Sequence, residues 1–395
     1  MTAMPPLAIT ATSLISALGR GKAAHLAALR ARRGGLVANP AAGVAGGGFI
    51  GPVAGVERHR LAPPLAAFTC RNNVLLDLAL ATDGFAATVA HAVARHGPAR
   101  IGVILGTSTS GIASGEDAYR ARDPATGALP ENFDFAHTHD FFSAARFVQA
   151  ALGLTGPAFV VSTACASAAR AFVDAAQLIA AGVIDAAVVG GADTLCRMTL
   201  AGFAALGLIA PGPCRPADAA RDGLSIGEAA GFALLERGEE SPFALLGYGE
   251  SSDGHHMSAP HPEALGAIAA MRDALRRADL AADDIDYINL HGTGTPANDA
   301  SEDRAVAAVF GDRVPASSTK GFTGHTLGAA GIVEAVIALL ALENGLLPGG
   351  LNIERVDPGF RAQVLTANVE RAISRVLSNS FGFGGANGSL IFGRR

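Results

Sequence analysis

Cys165, His291 and His325 are the residues of this 395-residue chain whose neighbours best suit them for chemistry. Cys165 lies in Phe159-Val160-Val161-Ser162-Thr163-Ala164-Cys165-Ala166-Ser167, where a β-branched apolar run gives way to an alanine-rich segment. The run reads as a buried strand and the segment as a helix to about Ala181. Ser162 and Thr163 are good helix N-caps, so the sulfur is expected near the positive end of a helix, which favours thiolate over thiol. A thiolate there would be a nucleophile; a buried thiol would be only a small hydrophobe, and this stretch alone leaves both readings open.

The two histidines sit in His291-Gly292-Thr293-Gly294-Thr295 and Gly324-His325-Thr326-Leu327-Gly328. Each follows a predicted strand, over 285–290 and 314–319. Glycine and threonine neighbours let a ligand approach the backbone closely and make an odd home for a core residue. Two such settings point to proton donation or acceptance. Lys320 precedes the second, and its plain reading is a buried ion pair with Glu334. No second cysteine or carboxylate falls at metal-ligand spacing, so no metal site is expected.

The elements that must hold these residues alternate strand and helix. Ile101–Gly106, 185–191 and 229–236 read as buried strands, Leu75 to Ala94 as one helix stopped by Pro98, and 34–55 as loop. In the second half, 262–278 is an amphipathic helix, 327–344 a long apolar one, and 379–388 a glycine-rich turn before a last strand. The pattern predicts an α/β fold whose halves repeat, divided as 1–245, carrying the cysteine, and 246–395, carrying both histidines and the lysine.

Composition agrees. Half the residues are hydrophobic and 16% are charged, as in a packed globule, and a net charge of −5 argues against nucleic acid. Four cysteines without paired spacing suggest neither zinc nor a disulfide scaffold. The apolar stretch 332–347, interrupted by Glu334 and Glu343, is expected not to span a bilayer, and a cytoplasmic protein is the default.

Four stretches carry a resemblance: Ser162-Thr163-Ala164-Cys165-Ala166-Ser167, Leu290 to Asp299, Ser318-Thr319-Lys320 with Gly324 to Gly331, and Asn379-Ser380-Phe381-Gly382-Phe383-Gly384-Gly385. In this order they resemble the elongating β-ketoacyl-acyl-carrier-protein synthases with a Cys-His-His triad. The resemblance implies the thiolase fold, five layers αβαβα from two repeated halves. It also implies decarboxylative condensation of a malonyl-carrier protein with an acyl group held on Cys165, in fatty acid, polyene or polyketide elongation. His291 and His325 would then hydrogen-bond the developing enolate, Lys320 would match the family's lysine that helps fix the charge and hydrogen-bond network near His325, and the N–H groups of Cys165 and Phe383 would form the oxyanion hole. Thr293 and Thr295 match pantetheine-binding threonines, Phe383 a gating phenylalanine, and Phe203, Phe381 and Thr109 substrate-pocket positions. Asn289 and Glu334 fall where some relatives hold a monovalent cation. No resident cofactor is implied, since phosphopantetheine arrives on the carrier protein; the expected partners are that carrier and a second subunit, identical or ketosynthase-like.

The chain also departs from its relatives. Ala386 replaces a common threonine, and Thr109 replaces a bulky aliphatic residue that guards the acyl pocket, which suggests a longer or flatter acyl chain. Segment 201–208 lacks a carrier-binding arginine, leaving Arg58, Arg60 and Arg71 as substitutes. The loop 252–258 and the Cys196 and Cys214 regions resemble aryl-polyene-type ketosynthases. The alternative of a non-catalytic chain-length partner fits poorly, because such subunits generally lack the nucleophile. A thiolase fits no better, because no cysteine follows Cys214.

Overall fold

The computed structural model describes residues 3–41, 43 and 46–395. The first half supplies strands β1 (Leu7–Ser16), β2 (Ile101–Gly106), β3 (Ala158–Val161), β4 (Ala186–Asp193) and β5 (Ala229–Glu236). The second supplies β6 (Phe243–Ser252), β7 (Tyr287–Asn289), β8 (Pro315–Ser317), β9 (Arg375–Phe381) and β10 (Ala386–Arg394). Their spatial orders, β3-β2-β4-β5-β1 and β8-β7-β9-β10-β6, are one pattern used twice. Pairing senses repeat as well: the second strand of each half lies parallel to the third and fourth, and the fifth is antiparallel to the fourth and first. The duplication expected from the sequence is therefore present. The sheets join where β1 and β6 pair at Leu7–Leu245 and Ala8–Ala244. The expected boundary at 245/246 falls inside β6, so the second repeat starts at Phe243 instead.

Ten helices of nine residues or more stand among the described residues: α1 (Lys22–Arg30), α2 (Arg71–Leu80), α3 (Phe85–His96), α4 (Ile112–Arg120), α5 (Ser143–Leu152), α6 (Ser167–Ala180), α7 (Arg197–Ala205), α8 (Leu265–Ala278), α9 (Pro296–Phe310) and α10 (Ala330–Asn344). Helices α6 and α10 pack together between the sheets, α6 on β2 and β4, α10 on β5, β9 and β10. On the outer faces, α2, α3 and α5 cover the first sheet, while α8 and α9 cover the second. The result is the αβαβα layering of the thiolase fold.

A helix between two sheets must be apolar all round. In α10 every residue from Ala330 to Leu342 is buried. With the turn before it, Leu327–Asn344 is long and apolar enough to pass for a membrane span by length and composition, but 89% of that stretch is buried inside the molecule, as in a core helix.

Two further expectations are corrected. The helix read over 75–94 is two, α2 and α3, bent by 73°. The break falls at Asp83 and Gly84, both with positive φ (56° and 71°), and the Asp83 carboxylate accepts the Lys22 N–H at 3.1 Å, tying the break to the start of α1. An α-helix cannot continue through two left-handed residues. The stretch 34–55 is not all loop, since Val37–Ala38 and Phe49–Gly51 form a small sheet with Ile226–Gly227.

Candidate active site

β3 leads through a tight turn to Cys165 and α6. The helix begins at Ser167 with Ala166 at its cap, so Ser162 and Thr163 do not cap it. Ser167 closes the turn instead: its Oγ accepts from the Thr163 N–H (2.9 Å) and donates to the Ala164 carbonyl (2.5 Å). Ala164 takes a left-handed φ of 50°, which turns the next residue, Cys165, off the strand. The sulfur lies just before the cap, as expected, but the thiolate is not its resting form. Burial pushes the thiol up to about 11, against the downward pull of the Lys320 charge and of the Phe383 N–H bonded to the sulfur. Desolvation outweighs the helix terminus here.

His325 Nε2 lies 3.0 Å from Cys165 Sγ. The Leu327 N–H donates to His325 Nδ1 at 3.2 Å, so the hydrogen of the neutral ring is on Nε2. His291 reaches the same tautomer differently. Lys320 Nζ stands 3.3 Å from its Nδ1, donates to its carbonyl at 2.5 Å and pairs with Glu334. An ammonium has no lone pair, so Nδ1 accepts and Nε2 again carries hydrogen. Burial and the Lys320 charge push both imidazoles well below their ordinary pKa. The rings meet edge to face, 5.2 Å between centroids. Two neutral imidazoles that each carry hydrogen on Nε2 thus stand together beside a thiol. One ligand atom from each of the three residues lies within 4.8 Å of the others, but nitrogens that carry hydrogen donate bonds and offer no lone pair to a metal.

Lys320 pairs with Glu334 and hydrogen-bonds His291, while it reaches His325 through its charge. The carboxylates that hold the His291 turn were given no role in the sequence reading. Glu302 accepts from the N–H groups of His291 (2.8 Å) and Gly292 (2.7 Å), and Asp299 from those of Thr293 and Gly294. Both lie in the first two turns of α9, directly after the His291 loop. Acidic residues early in a helix that follows a functional loop are the signal that could have found them.

A cavity of about 240 Å³ opens on the triad. Its walls include Thr293, Thr295, Phe203, Phe381 and Phe383, as expected, and also Asn298 and Asn387, which were not. The Phe203 and Phe383 rings lie 5.7 Å apart. Gly382 is needed for close approach: a Cβ there would come within 2.8 Å of the Thr163 carbonyl and 3.2 Å of the Cys165 N. Thr109 does not line this cavity. It is fully buried and its hydroxyl donates to Asp193 at 2.6 Å, so the inference of a relaxed acyl pocket loses its footing. Arg71 is likewise engaged internally, by Glu228 at 2.6 and 2.8 Å and by Glu57 at 2.8 Å, and is a poor carrier contact. Asn289 and Glu334 are both buried, each with one oxygen that lacks a hydrogen-bond partner among the described residues.

Comparison with known proteins decides the family. Residues 77–241 match the model of the β-ketoacyl synthase N-terminal domain, and residues 243–354 that of the C-terminal domain. This chain belongs to the β-ketoacyl synthase family. It is 40% identical over 322 residues to 3-oxoacyl-[acyl-carrier-protein] synthase 2 of Rhizobium meliloti, covering 74% of each chain. It is 38% identical over 306 residues to nodulation protein E of the same species, covering 74% of this chain and 75% of that one. Among solved structures it is similar to a Xenorhabdus doucetiae ketosynthase in complex with its chain length factor, with a TM-score of 0.89, 40% identity and full coverage of both chains. A β-ketoacyl synthase of Burkholderia phymatum matches with a TM-score of 0.86 and 30% identity, over 99% of this chain and all of that one. The ketosynthase is thus an acyltransferase that condenses malonyl-carrier protein with an acyl group in fatty acid or polyketide elongation.

Proposed function

We propose that Cys165 carries the acyl group and that His291 and His325 drive decarboxylation. The observation that carries this reading is the convergence of one ring nitrogen of each imidazole to within 4.8 Å of Sγ, with His325 Nε2 at 3.0 Å. In the first half-reaction the sulfur attacks the incoming thioester. The new C–S bond replaces the old one, and the Cys165 proton ends on the departing pantetheine thiol. The Phe383 N–H, the His325 N–H and the Lys320 charge stabilise the thiolate as it forms, offsetting the burial that keeps it protonated at rest. In the second, malonyl-carrier protein loses carbon dioxide and the electron pair moves to the thioester oxygen, which accepts from both imidazoles. The resulting carbanion attacks the acyl carbonyl. Its oxyanion sits on the N–H groups of Cys165 and Phe383, and collapse expels the Cys165 thiolate, which takes a proton from solvent.

Thr293 and Thr295, whose hydroxyls lie 2.9 Å apart on the cavity wall, hold the pantetheine amides, while Phe203, Phe381 and Phe383 contact the acyl chain. Asn289 and Glu334, each with a buried oxygen lacking a partner among the described residues, would be the residues to hold a monovalent cation, which would supply a fixed positive charge there. The chain works with an acyl carrier protein and pairs with a second, ketosynthase-like subunit, as the X. doucetiae ketosynthase does with its chain length factor. Incubation with acyl- and malonyl-carrier proteins tests the central claim. Mass spectrometry should find acyl groups on Cys165, with carbon dioxide released; condensation by a Cys165→Ala protein would overturn it.

A further inference from the structure

Asp193, the last residue of β4, is fully buried and stands between the two catalytic turns. Its Oδ1 accepts from the hydroxyls of Thr107 (2.8 Å) and Thr109 (2.6 Å) and from the N–H groups of Ser108 (2.8 Å) and Thr109 (2.7 Å). Its Oδ2 accepts from the Ser108 N–H at 3.1 Å and, across the boundary between halves, from the Ala329 N–H at 3.0 Å. Five donor groups thus converge on one carboxylate, all of them neutral, so its partners are dipoles held at fixed positions.

Each of the two turns it joins supports one member of the triad. On the first-half side, Ser108 Oγ donates to the Ala164 carbonyl at 3.3 Å, the residue whose left-handed φ directs Cys165. On the second-half side, Leu327 (φ 53°) donates its N–H to His325 Nδ1, setting that ring's tautomer and orientation. Between them lies Gly328. A Cβ there would stand 2.8 Å from Asp193 Oδ2, from the Ser108 N and from Ser108 Oγ, so the turns meet this closely only because position 328 has no side chain.

We infer that Asp193 is a positioning residue of the condensation site: it bolts the turn that braces Cys165 to the turn that orients His325, and so sets the 3.0 Å between Sγ and Nε2. The inference rests on the proposed roles of Cys165 and His325. It assigns a cause to their separation, since the two residues are carried by opposite repeats and share no covalent neighbour. A misplacement of about 1 Å at a reacting centre costs on the order of 100-fold in rate.

Asp193→Asn and Gly328→Ala test it, each first checked by thermal unfolding for a folded protein. Asp193→Asn should lower kcat for condensation by about 10- to 100-fold while KM for malonyl-carrier protein stays within about twofold. Gly328→Ala leaves every charge in place but forces the turns apart. It should raise the pH midpoint of Cys165 alkylation by iodoacetamide, because the sulfur loses its imidazole donor. A kcat that falls only with the folded fraction, or an alkylation profile that overlays the parent's, would overturn the inference. If Asp193→Asn does not fold, Ser108→Ala, which removes only the brace on Ala164, should show the kcat loss in milder form. Alkylation needs no turnover: a parent enzyme that failed to condense would sink the catalytic reading, while the alkylation profile would still judge Asp193.

Discussion

The nucleophile turn and the His291 turn follow the same strand-to-helix plan, while His325 is reached from β8 through a short helix at Lys320–Thr323, and the cysteine and histidine sides are built in opposite ways. β3, which delivers Cys165, is the outermost strand of the first sheet, and all four of its residues are only half-buried. β7 and β8, which precede His291 and Lys320, are fully buried, and Glu302, Asp299 and Lys320 hold the peptides that follow. The group that forms and breaks a covalent bond sits on the less constrained side. The groups that meet developing charge are fixed before it appears. Electrostatic catalysis needs that order, because donors already oriented have no reorganisation cost in the transition state.

The sharpest way to break this comparison is to remove one side. Cys165→Ala should abolish acyl transfer and condensation, a fall of at least ~10⁴-fold in kcat, checked with radiolabelled acyl-carrier protein. His325→Ala should cost condensation about 10²- to 10³-fold through loss of one donor to the enolate, and acyl loading of Cys165 less, a split that single-turnover assays resolve. Lys320→Met should leave Glu334 buried without its partner. We expect a stability loss of about 3–5 kcal/mol by denaturant unfolding, together with a drop in decarboxylation, since His291 also loses what fixes its tautomer.

Smaller effects sharpen the comparison. Gly382→Ala presses a methyl toward the Cys165 N–H and should slow acyl transfer by about tenfold while malonyl decarboxylation changes little. For pH, the sign follows from two lowered imidazole values. Neutral rings persist below the ordinary value of about 6.5, so carbon dioxide release should not fall as pH drops through 6.5, which a pH–rate profile measures. By linkage, each depressed histidine contributes stability that is present above about 6.5 and is lost as pH falls toward its folded value.

What was legible in the sequence was the chemistry and the repeat. Cys165, His291 and His325 stood out because glycine, threonine and β-branched neighbours mark strand-end turns, and those turns do converge. Local pattern could not show which of two competing local forces wins. A helix terminus argued for thiolate, but only the assembled layers reveal that the sulfur is buried enough to reverse the balance. Ser162 and Thr163 had the right chemistry for a cap; the left-handed Ala164 moved the helix start past them. Thr109 read as pocket lining because its true partner, Asp193, is distant in sequence and carries no motif. Contacts between residues distant in sequence leave no local trace, and Asp193 was hidden there, whereas Glu302 and Asp299 stood beside the His291 motif.

The central layer has a consequence for how the protein is made. α6 leaves the ribosome with its apolar face uncovered, and the helix that seals it, α10, ends at Asn344, late in the chain. At ~5–20 residues per second the wait is on the order of ten seconds, with the inner faces of the first sheet and α6 open to aggregation. α10 meanwhile emerges as the most apolar helix of the chain and has no stable place except between the sheets. A nascent chain halted before residue 330 therefore carries the nucleophilic cysteine on a helix whose covering partner has not yet been made.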